Sequence, residues 1–224
     1  MAARAADAVA PSFDLLDLQI DGNTRLSQIE LERAVYRFLG PQRSSADVES
    51  ARAALEQAYH TAGYLTVFVD VPPQRIEQGR VRLQVTEGRV ERLKVSGSQY
   101  HSPQAVRDEL PALREGAVPD FNAMQLQLAQ LNRGADLQAT PVLRPGHAPG
   151  TVEAELKVQD QLPLHGSVAL NNRYSEGTPH GRLEAALRYD NLWQRGHSAT
   201  LSWSTSPSHL DQTAVWHASY SLPW

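Results

Sequence analysis

The chain contains an internal repeat, and this feature constrains its fold more than any other. The segment "LQIDGNTRLSQIELERAV" (Leu18–Val35) aligns with "LKVSGSQYHSPQAVRDEL" (Leu93–Leu110) at a spacing of 75 positions. In both copies apolar residues alternate before a glycine and a serine comes after it, which predicts a short strand, a glycine turn and a helix. The aligned pairs are Leu18 with Leu93, Ile20 with Val95, Gly22 with Gly97, and Ser27 with Ser102.

The first helix of each copy carries its own start signal. Ser27 is predicted to cap the first one, with Glu30 completing a capping box. Ser102 is predicted to cap its counterpart, with Pro103 at the first helical position, where a missing N–H has no cost. In the first copy the Gly40–Pro41 pair predicts the end of the helix.

A second helix follows in each copy. The first is "SSADVESARAALEQAYHTAG", with Gly63 as its end signal, and the second is "DFNAMQLQLAQLNRG", with Asp120 as its cap. Apolar residues recur at helical spacing in both, which predicts one buried face on each helix. These residues are Val48, Ala51, Leu55 and Tyr59 in the first copy, and Met124, Leu128 and Leu131 in the second.

Both copies close with two segments of strand character. These are "LTVFVDV" and "RVRLQVTEG" in the first copy, and "LQATPVLR" and "TVEAELKVQD" in the second. The repeated unit is therefore β-α-α-β-β, in which two helices cover one face of a three-stranded sheet, and the predicted fold class is α+β. The alternative is that two unrelated α+β domains are alike by chance.

The chain changes character near residue 162. Four segments of alternating apolar and polar residues follow, at 165–174, 181–190, 197–204 and 213–222, and all four tryptophans fall in this region. Such alternation is typical of transmembrane barrel strands, which place apolar residues outward and polar residues inward. It is equally typical of a soluble β-sandwich, whose apolar face packs on a second sheet.

Composition and local motifs argue against several functional classes. The net charge of −4 provides no basic surface for nucleic acid, and no apolar run approaches the roughly 18 residues of a membrane helix. With no cysteine and no pair of histidines at ligand spacing, we expect no metal site and no cofactor. Nucleophile elbows and phosphate-binding loops are lacking as well, so we expect no catalytic residues and no enzyme.

At this point the chain resembles a known family. The β-α-α-β-β unit with its strand–glycine turn–helix entry is similar to the POTRA (polypeptide-transport-associated) domain. Two such units ahead of a β-rich segment resemble the TpsB transporters of two-partner secretion, the haemolysin and filamentous-haemagglutinin exporters. The resemblance divides the chain into a tail (1–12), a first POTRA domain (13–88), a second (89–161) and the first strands of an incomplete outer-membrane β-barrel (162–224).

The resemblance implies a function in protein transport at the cell outer membrane, with the POTRA domains in the periplasm. There they would capture an unfolded exoprotein through its N-terminal secretion domain and pass it to the barrel, whose outer face contacts lipid. Four strands cannot close a membrane barrel, since about eight is the smallest number known. We therefore expect this chain to correspond to the N-terminal part of a transporter, without its export signal. The alternative is an envelope scaffold that has POTRA-like domains but no transport activity.

The resemblance also points to candidate site residues. In POTRA domains the strand after the second helix tends to lie at the sheet edge, where an extended partner can add as a further strand. "DNLWQRGH" and "YSLPW" resemble periplasmic turns, and "SEGTPHG" and "STSPSHLDQ" then become outer loops. The candidate edge residues are Leu65, Thr66, Val67, Phe68 and Val69 in the first copy, and Gln138, Thr140, Val142 and Arg144 in the second. The candidate membrane-interface aromatics are Tyr189, Trp193, Trp203, Trp216, Tyr220 and Trp224.

Overall fold

A computed structural model describes residues 12–172 and 181–222 of the chain. The first repeat within it contains five strands, two α-helices and one turn of 3-10 helix. Their bounds are β1 (Phe13–Leu15), β2 (Asp17–Asp21), α1 (Gln28–Val35), the 3-10 turn (Tyr36–Phe38), β3 (Gly40–Arg43), α2 (Ser45–Thr61), β4 (Val67–Asp70) and β5 (Arg80–Glu87).

The second repeat has the same order without the additional strand pair. Its bounds are β6 (Arg89–Ser96), α3 (Pro103–Asp108), a 3-10 turn (Pro111–Leu113), α4 (Phe121–Leu131), β7 (Leu137–Pro145) and β8 (Thr151–Asp160). The strand order is β2-β5-β4 in the first sheet and β6-β8-β7 in the second. In each repeat the last strand thus lies between the other two, so the two copies share a topology as well as a sequence pattern. The predicted α+β fold is confirmed.

The β1–β3 pair is a departure from the predicted unit. β1 runs antiparallel to β3, with Leu15 opposite Gly40. The Gly40–Pro41 pair was expected only to end a helix, and the helix does end before it, with Leu39 in extended conformation. Pro41 then continues in β3, where the two-stranded sheet leaves an open side that needs no N–H.

Of the three predicted helix N-caps, two form as expected and the third stands at the cap position without its side-chain hydrogen bond. Ser27 and Glu30 form the expected capping box, in which the Ser27 N–H donates to Glu30 Oε2 at 2.8 Å. The Asp120 carboxylate accepts from the first N–H groups of α4, as expected. The Ser102 side chain makes no capping hydrogen bond. Its main-chain N–H instead donates to Gln194 Oε1 at 2.8 Å, a partner 92 positions away that local sequence could not indicate.

The core of the first repeat forms on the predicted face of α2. Val48, Ala51, Leu55 and Tyr59 are buried there against β4 and β5. The Tyr59 hydroxyl donates to the side chain of Asn23, which also accepts from the Leu26 N–H. Burial raises the pKa of the Tyr59 hydroxyl, and the nearby Glu87 carboxylate raises it further, so this tyrosine stays a neutral core residue.

The C-terminal strands form one antiparallel sheet of order β12-β11-β10-β9. Their bounds are β9 (Leu164–Asn171), β10 (Arg182–Leu192), β11 (His197–Ser206) and β12 (His209–Ser221). The turn at 193–196 matches the predicted "DNLWQRGH" turn. The predicted loop "STSPSHLDQ" is mostly strand, because β11 and β12 extend to a tight turn at Pro207–Ser208. The "SEGTPHG" loop lies outside the described residues except for Gly181.

The chain divides into two compact units. The first comprises Met1–Lys94, Leu110–Gln130 and Pro141–Glu155, and the second comprises Val95–Glu109, Leu131–Thr140 and Leu156–Trp224. The division passes through the sheet of the second repeat. Of the helices within residues 12–172 and 181–222, none combines the length and the apolar character needed to cross a membrane.

Candidate functional site

The candidate strand of the first repeat lies at an edge of its sheet. β4 pairs with β5 on one side only, with Val67 opposite Glu87 and Val69 opposite Val85. Val67 and Val69 point into the core, whereas Phe68 is 59% exposed and Leu65 is also exposed. Thr66 is buried, and its hydroxyl donates to the Gly88 carbonyl oxygen. Among the predicted residues, Thr66, Val67 and Val69 therefore hold the strand in place, whereas the Phe68 side chain is open to a partner.

Side chains of α2 occupy the outer edge of β4. Arg52 Nη1 donates to the Val69 carbonyl oxygen at 3.1 Å, and Glu56 Oε2 accepts from the Val69 N–H at 3.1 Å. His60 Nε2 lies 3.2 Å from the Val67 carbonyl oxygen. These three side chains are four positions apart on one stripe of the helix. They make the hydrogen bonds that an added strand would make, so a partner has to displace them.

The candidate strand of the second repeat is also an edge strand, since β7 pairs with β8 alone. The Asn132 side chain bonds to both main-chain groups of Ala139, with its Oδ1 accepting at 2.7 Å and its Nδ2 donating at 3.0 Å. Pro141 and Pro145 have no N–H to offer, which further blunts this edge. Among the predicted residues, Gln138, Thr140 and Arg144 are exposed and Val142 is half-buried. The Arg144 Nη2 atom lies 3.7 Å from Glu155 Oε2.

A groove runs beside β4 within the first compact unit. It has a volume of about 690 Å³, and its two sides are the exposed face of β4–β5, with Phe68 and Thr86, and the β7–β8 hairpin from Leu143 to Val152. Glu91 fixes the hairpin, because one of its oxygens accepts from the His147 N–H and the Thr151 hydroxyl, both at 2.8 Å. The hydrogen bonds from Thr151 and His147 hold the pKa of Glu91 below its usual range, so the carboxylate that fixes this side of the groove stays charged.

The four-stranded sheet leaves its apolar face open. The pairing of the strands aligns the side chains of this face in four rows that run across the sheet. Trp203 and Trp216 share one row, and their ring centroids lie 6.1 Å apart. Val168 is 77% exposed, and Leu170, Leu187, Leu201 and Trp216 are exposed as well. No second sheet packs on this face in the described part of the chain. The rows are Leu164–Tyr189–Ala199–Tyr220, Gly166–Leu187–Leu201–Ala218, Val168–Ala185–Trp203–Trp216 and Leu170–Leu183–Thr205–Ala214.

The candidate interface aromatics occupy two of these rows and one turn. Tyr189 and Tyr220 share the row nearest the 193–196 turn, where the Tyr220 hydroxyl contacts His197. Trp203 and Trp216 lie four residues farther along the strands, and Trp193 is exposed in the turn itself. Trp224 is outside the described residues. The register thus brings four of the six aromatics onto one face, as the alternation predicted.

A polar cluster that the sequence did not reveal lies near the start of the same sheet. His165 Nε2 is 2.8 Å from Asp136 Oδ2 and 3.5 Å from Asp190 Oδ2. The ligand atoms of all three residues lie within 4.8 Å of one another. The expectation of no metal site rested on histidine spacing along the chain, whereas Asp136 and His165 are 29 positions apart. The pairing of β9 with β10 brings His165 close to Asp190, and the segment that precedes β7 adds Asp136.

The family relationship of the first repeat follows from its sequence. The family described as "POTRA domain, ShlB-type" matches residues 13–88. Residues 13–88 are therefore similar to a POTRA domain of the ShlB type. The match covers β1 through β5, including the β4 edge and the α2 side chains that cover it. The second repeat, with the same sheet order, repeats the POTRA topology.

Curated relatives extend the similarity beyond the POTRA domain. The chain is 24% identical over 212 residues to outer membrane transporter CdiB of Dickeya dadantii (strain 3937), which covers 95% of the chain and 37% of the transporter. It is 24% identical over 213 residues to heme/hemopexin transporter protein HuxB of Haemophilus influenzae (strain 86-028NP), covering 87% of the chain and 35% of HuxB. The chain thus spans about a third of these relatives. The predicted resemblance to TpsB transporters is confirmed.

Solved structures show the same fold. CdiB from Escherichia coli matches all of the chain, over 42% of the CdiB chain, with a TM-score of 0.75 at 20% identity. CdiB from Acinetobacter baumannii matches 96% of the chain, again over 42% of its own, with a TM-score of 0.64 at 16% identity. The N-terminal domain of Omp85 from Thermosynechococcus elongatus matches 67% of the chain and 68% of its own, with a TM-score of 0.57 at 23% identity. The fold of the chain therefore occurs in solved structures.

Proposed function

We propose that the chain is the N-terminal part of an outer-membrane transporter that captures an unfolded exoprotein and passes it to a β-barrel. Its POTRA repeats lie in the periplasm, and its four-stranded sheet is the first part of the barrel. Similarity to CdiB and HuxB over most of the chain supports the transport role. The proposal assigns binding and guidance to this chain and no chemical step.

The observation that carries the capture role is the position of β4. It is an edge strand with an exposed Phe68. It also borders a groove that five residues of the first repeat line on one side and the β7–β8 hairpin lines on the other. An extended polypeptide gains main-chain hydrogen bonds from such an edge, and a neighbouring groove accepts its alternate side chains. Exposed aromatic side chains such as Phe68 are the usual anchors of binding surfaces.

The open face of the four-stranded sheet supports the barrel role. Its four rows span about 20 Å along the strands, near the roughly 25 Å apolar band of outer-membrane barrels. Exposed apolar surface of this extent is unfavourable in water, and contact with lipid acyl chains removes that cost. The opposite face carries Arg182, Glu184, Arg188 and Asp190, as a water-filled lumen requires.

A second function, an envelope scaffold without transport activity, is favoured by one observation. Side chains of α2 already contact the outward main-chain groups of β4, and these are Arg52, Glu56 and His60. Such contacts are expected at an edge that is protected against added strands. Under this alternative the repeats bind folded envelope proteins through other surfaces. The two functions differ in whether an unfolded polypeptide contacts β4.

Site-specific photocrosslinking tests the proposal. The full chain is prepared in detergent micelles with a photoreactive phenylalanine at position 68, and an unfolded N-terminal secretion domain of an exoprotein is added. A control chain carries the same group at Leu126, which is 75% exposed on α4. We expect crosslinks from position 68 and few from position 126. Equal crosslinking from both positions, or none from position 68, contradicts capture at β4 and leaves the scaffold function.

A further inference from the structure

We propose that Asp136, His165 and Asp190 form a binding site for a divalent transition-metal ion such as Zn²⁺. The site lies at the start of β9 and near the end of β10, beside the segment that leads into β7. All three parts belong to the second compact unit. It is independent of substrate capture, because none of its residues belongs to β4 or its groove. One imidazole nitrogen and two carboxylate oxygens are a donor set that such ions bind in proteins.

Sheet register brings His165 and Asp190 to the same face. His165 pairs with Arg188 across β9 and β10, and Asp190 follows Arg188 by two positions, so all three side chains project from one side of the sheet. The Asp190 N–H donates to the Pro163 carbonyl oxygen at 2.8 Å, which fixes the end of β10 against the start of β9. Two of the three metal ligands, His165 and Asp190, therefore rest on paired strands, and Asp136 immediately precedes β7.

Asp136 is the buried member of the site. Only 8% of the surface of Asp136 is exposed to solvent. A buried carboxylate needs a compensating positive charge or hydrogen bonds. Its Oδ1 accepts from Gln161 Nε2 at 3.1 Å, and its Oδ2 faces His165 Nε2 at 2.8 Å. The amide holds one oxygen in place and leaves the other directed at the imidazole.

A second contact orients Asp190 in the same manner. Arg188 Nε donates to Asp190 Oδ1 at 2.8 Å, and Asp190 Oδ2 faces His165 Nε2. Partners of this kind fix the direction of metal ligands. Counting Arg188 with the two carboxylates and a neutral imidazole, the group has a net charge of −1, which favours a divalent cation.

The spacing of the donor atoms suits a small ion. Ligands about 2.0–2.2 Å from a tetrahedral ion lie roughly 3.3–3.6 Å from one another. The His165 Nε2 to Asp190 Oδ2 distance is 3.5 Å, and the 2.8 Å contact to Asp136 has to open by only about half an ångström. The His165 side chain is 43% exposed, which leaves room for water as the remaining ligand.

Calorimetric titration tests the site. The untagged full chain in detergent micelles is titrated with ZnCl₂ at neutral pH, and we expect one ion per chain with a dissociation constant of about 10 μM or tighter. H165Q, D136N and D190N are each expected to weaken binding by at least about tenfold, and Q161A by roughly tenfold. The matched control is H217Q, a histidine on the same face of the sheet that should not change the affinity.

Two results would overturn the proposal. One is the lack of saturable binding at about 100 μM Zn²⁺, which leaves His165 as a contact of the two carboxylates only. The other is unchanged affinity in all three ligand variants. Circular dichroism verifies that each variant is folded. If the variants fail to fold, X-ray absorption of the wild-type zinc complex decides, since scattering from a single imidazole with carboxylate oxygens supports the site and scattering from several imidazoles contradicts it.

Discussion

Glu87 and Asp160 occupy equivalent places in the two repeats, since each is the last residue of its repeat's final strand and accepts hydrogen bonds from the turn between β2 and α1 or between β6 and α3. Glu87 Oε1 accepts from the Thr24 N–H at 2.6 Å. Asp160 Oδ2 accepts from the N–H groups of Tyr100 and His101, both at 2.8 Å. The carboxylates thus fix the path of the chain into the helix in both repeats, a role that the aligned sequences did not indicate.

The D160N variant should destabilise this turn in the second repeat. The Asp160 side chain is 1% exposed, and loss of its charge weakens the several hydrogen bonds that this buried carboxylate accepts, at a cost of about 2 kcal/mol. We expect faster hydrogen exchange at the main-chain N–H groups of Gln99, Tyr100 and His101 than in the wild type at neutral pH. Unchanged exchange would show that the turn holds without the charge.

The difference between D160N and the wild type should depend on pH. Burial raises the pKa of the Asp160 carboxyl, but the hydrogen bonds from Gln99, Tyr100 and His101 outweigh it and hold the pKa below the ordinary value of 3.8. The stabilisation is therefore complete above that ordinary value and is lost as the pH falls through the lowered pKa. Exchange measured in both proteins at each pH should converge in acid; a difference that persists there contradicts this origin.

Substitution of either turn glycine by alanine should destabilise its repeat. Gly22 and Gly97 have φ angles of +91° and +86°, and a Cβ at either would overlap the carbonyl oxygen of Val85 or Val158. We expect a loss of at least about 2 kcal/mol for G22A or G97A, measured by urea unfolding in detergent. The control G116A has a φ of +81° with open space around the Cβ position, so it should cost less. An equal loss in all three variants would assign the effect to backbone conformation alone.

The sequence predicted those parts of the fold that depend on local pattern. The Ser27–Glu30 capping box, the buried face of α2 and the alternation in β10 and β11 each lie within one segment, and all agree with the structure. Features that depend on distant partners could not be predicted. The Ser102 N–H bonds to Gln194, and the α2 stripe covers β4 only because the fold places it there. The cluster of His165 with Asp136 and Asp190 could not be predicted either, because the three residues are distant in the sequence.

Removing one covering side chain should strengthen capture by β4. In E56A the Val69 N–H loses its acceptor, and Arg52 loses one of its two carboxylate partners, so an added strand has less to displace. We expect the unfolded secretion domain to bind about two- to tenfold more tightly, measured by fluorescence anisotropy. The control is E49A, because Glu49 bonds to Arg52 at 2.6 Å without touching β4. Equal or weaker binding by E56A would count against strand addition.

The apolar face of the four-stranded sheet should contact acyl chains. Full chains that retain either Trp216 or Trp193 as the sole tryptophan are reconstituted into vesicles containing brominated lipids. Trp216 lies within the rows of apolar side chains, and Trp193 lies in the turn beyond them. We expect strong quenching of Trp216 and weak quenching of Trp193. Equal and weak quenching of both would instead support a soluble sheet that packs on another protein surface.

The strand orders β2-β5-β4 and β6-β8-β7 determine when each POTRA repeat can fold. As a ribosome or a translocation channel releases the chain from its N-terminus, β2 and β4 emerge first, and both depend on β5 for their hydrogen bonds. The central strand of each repeat is the last to arrive. The three-stranded sheet of each repeat therefore cannot be complete until its final strand takes its place between the other two.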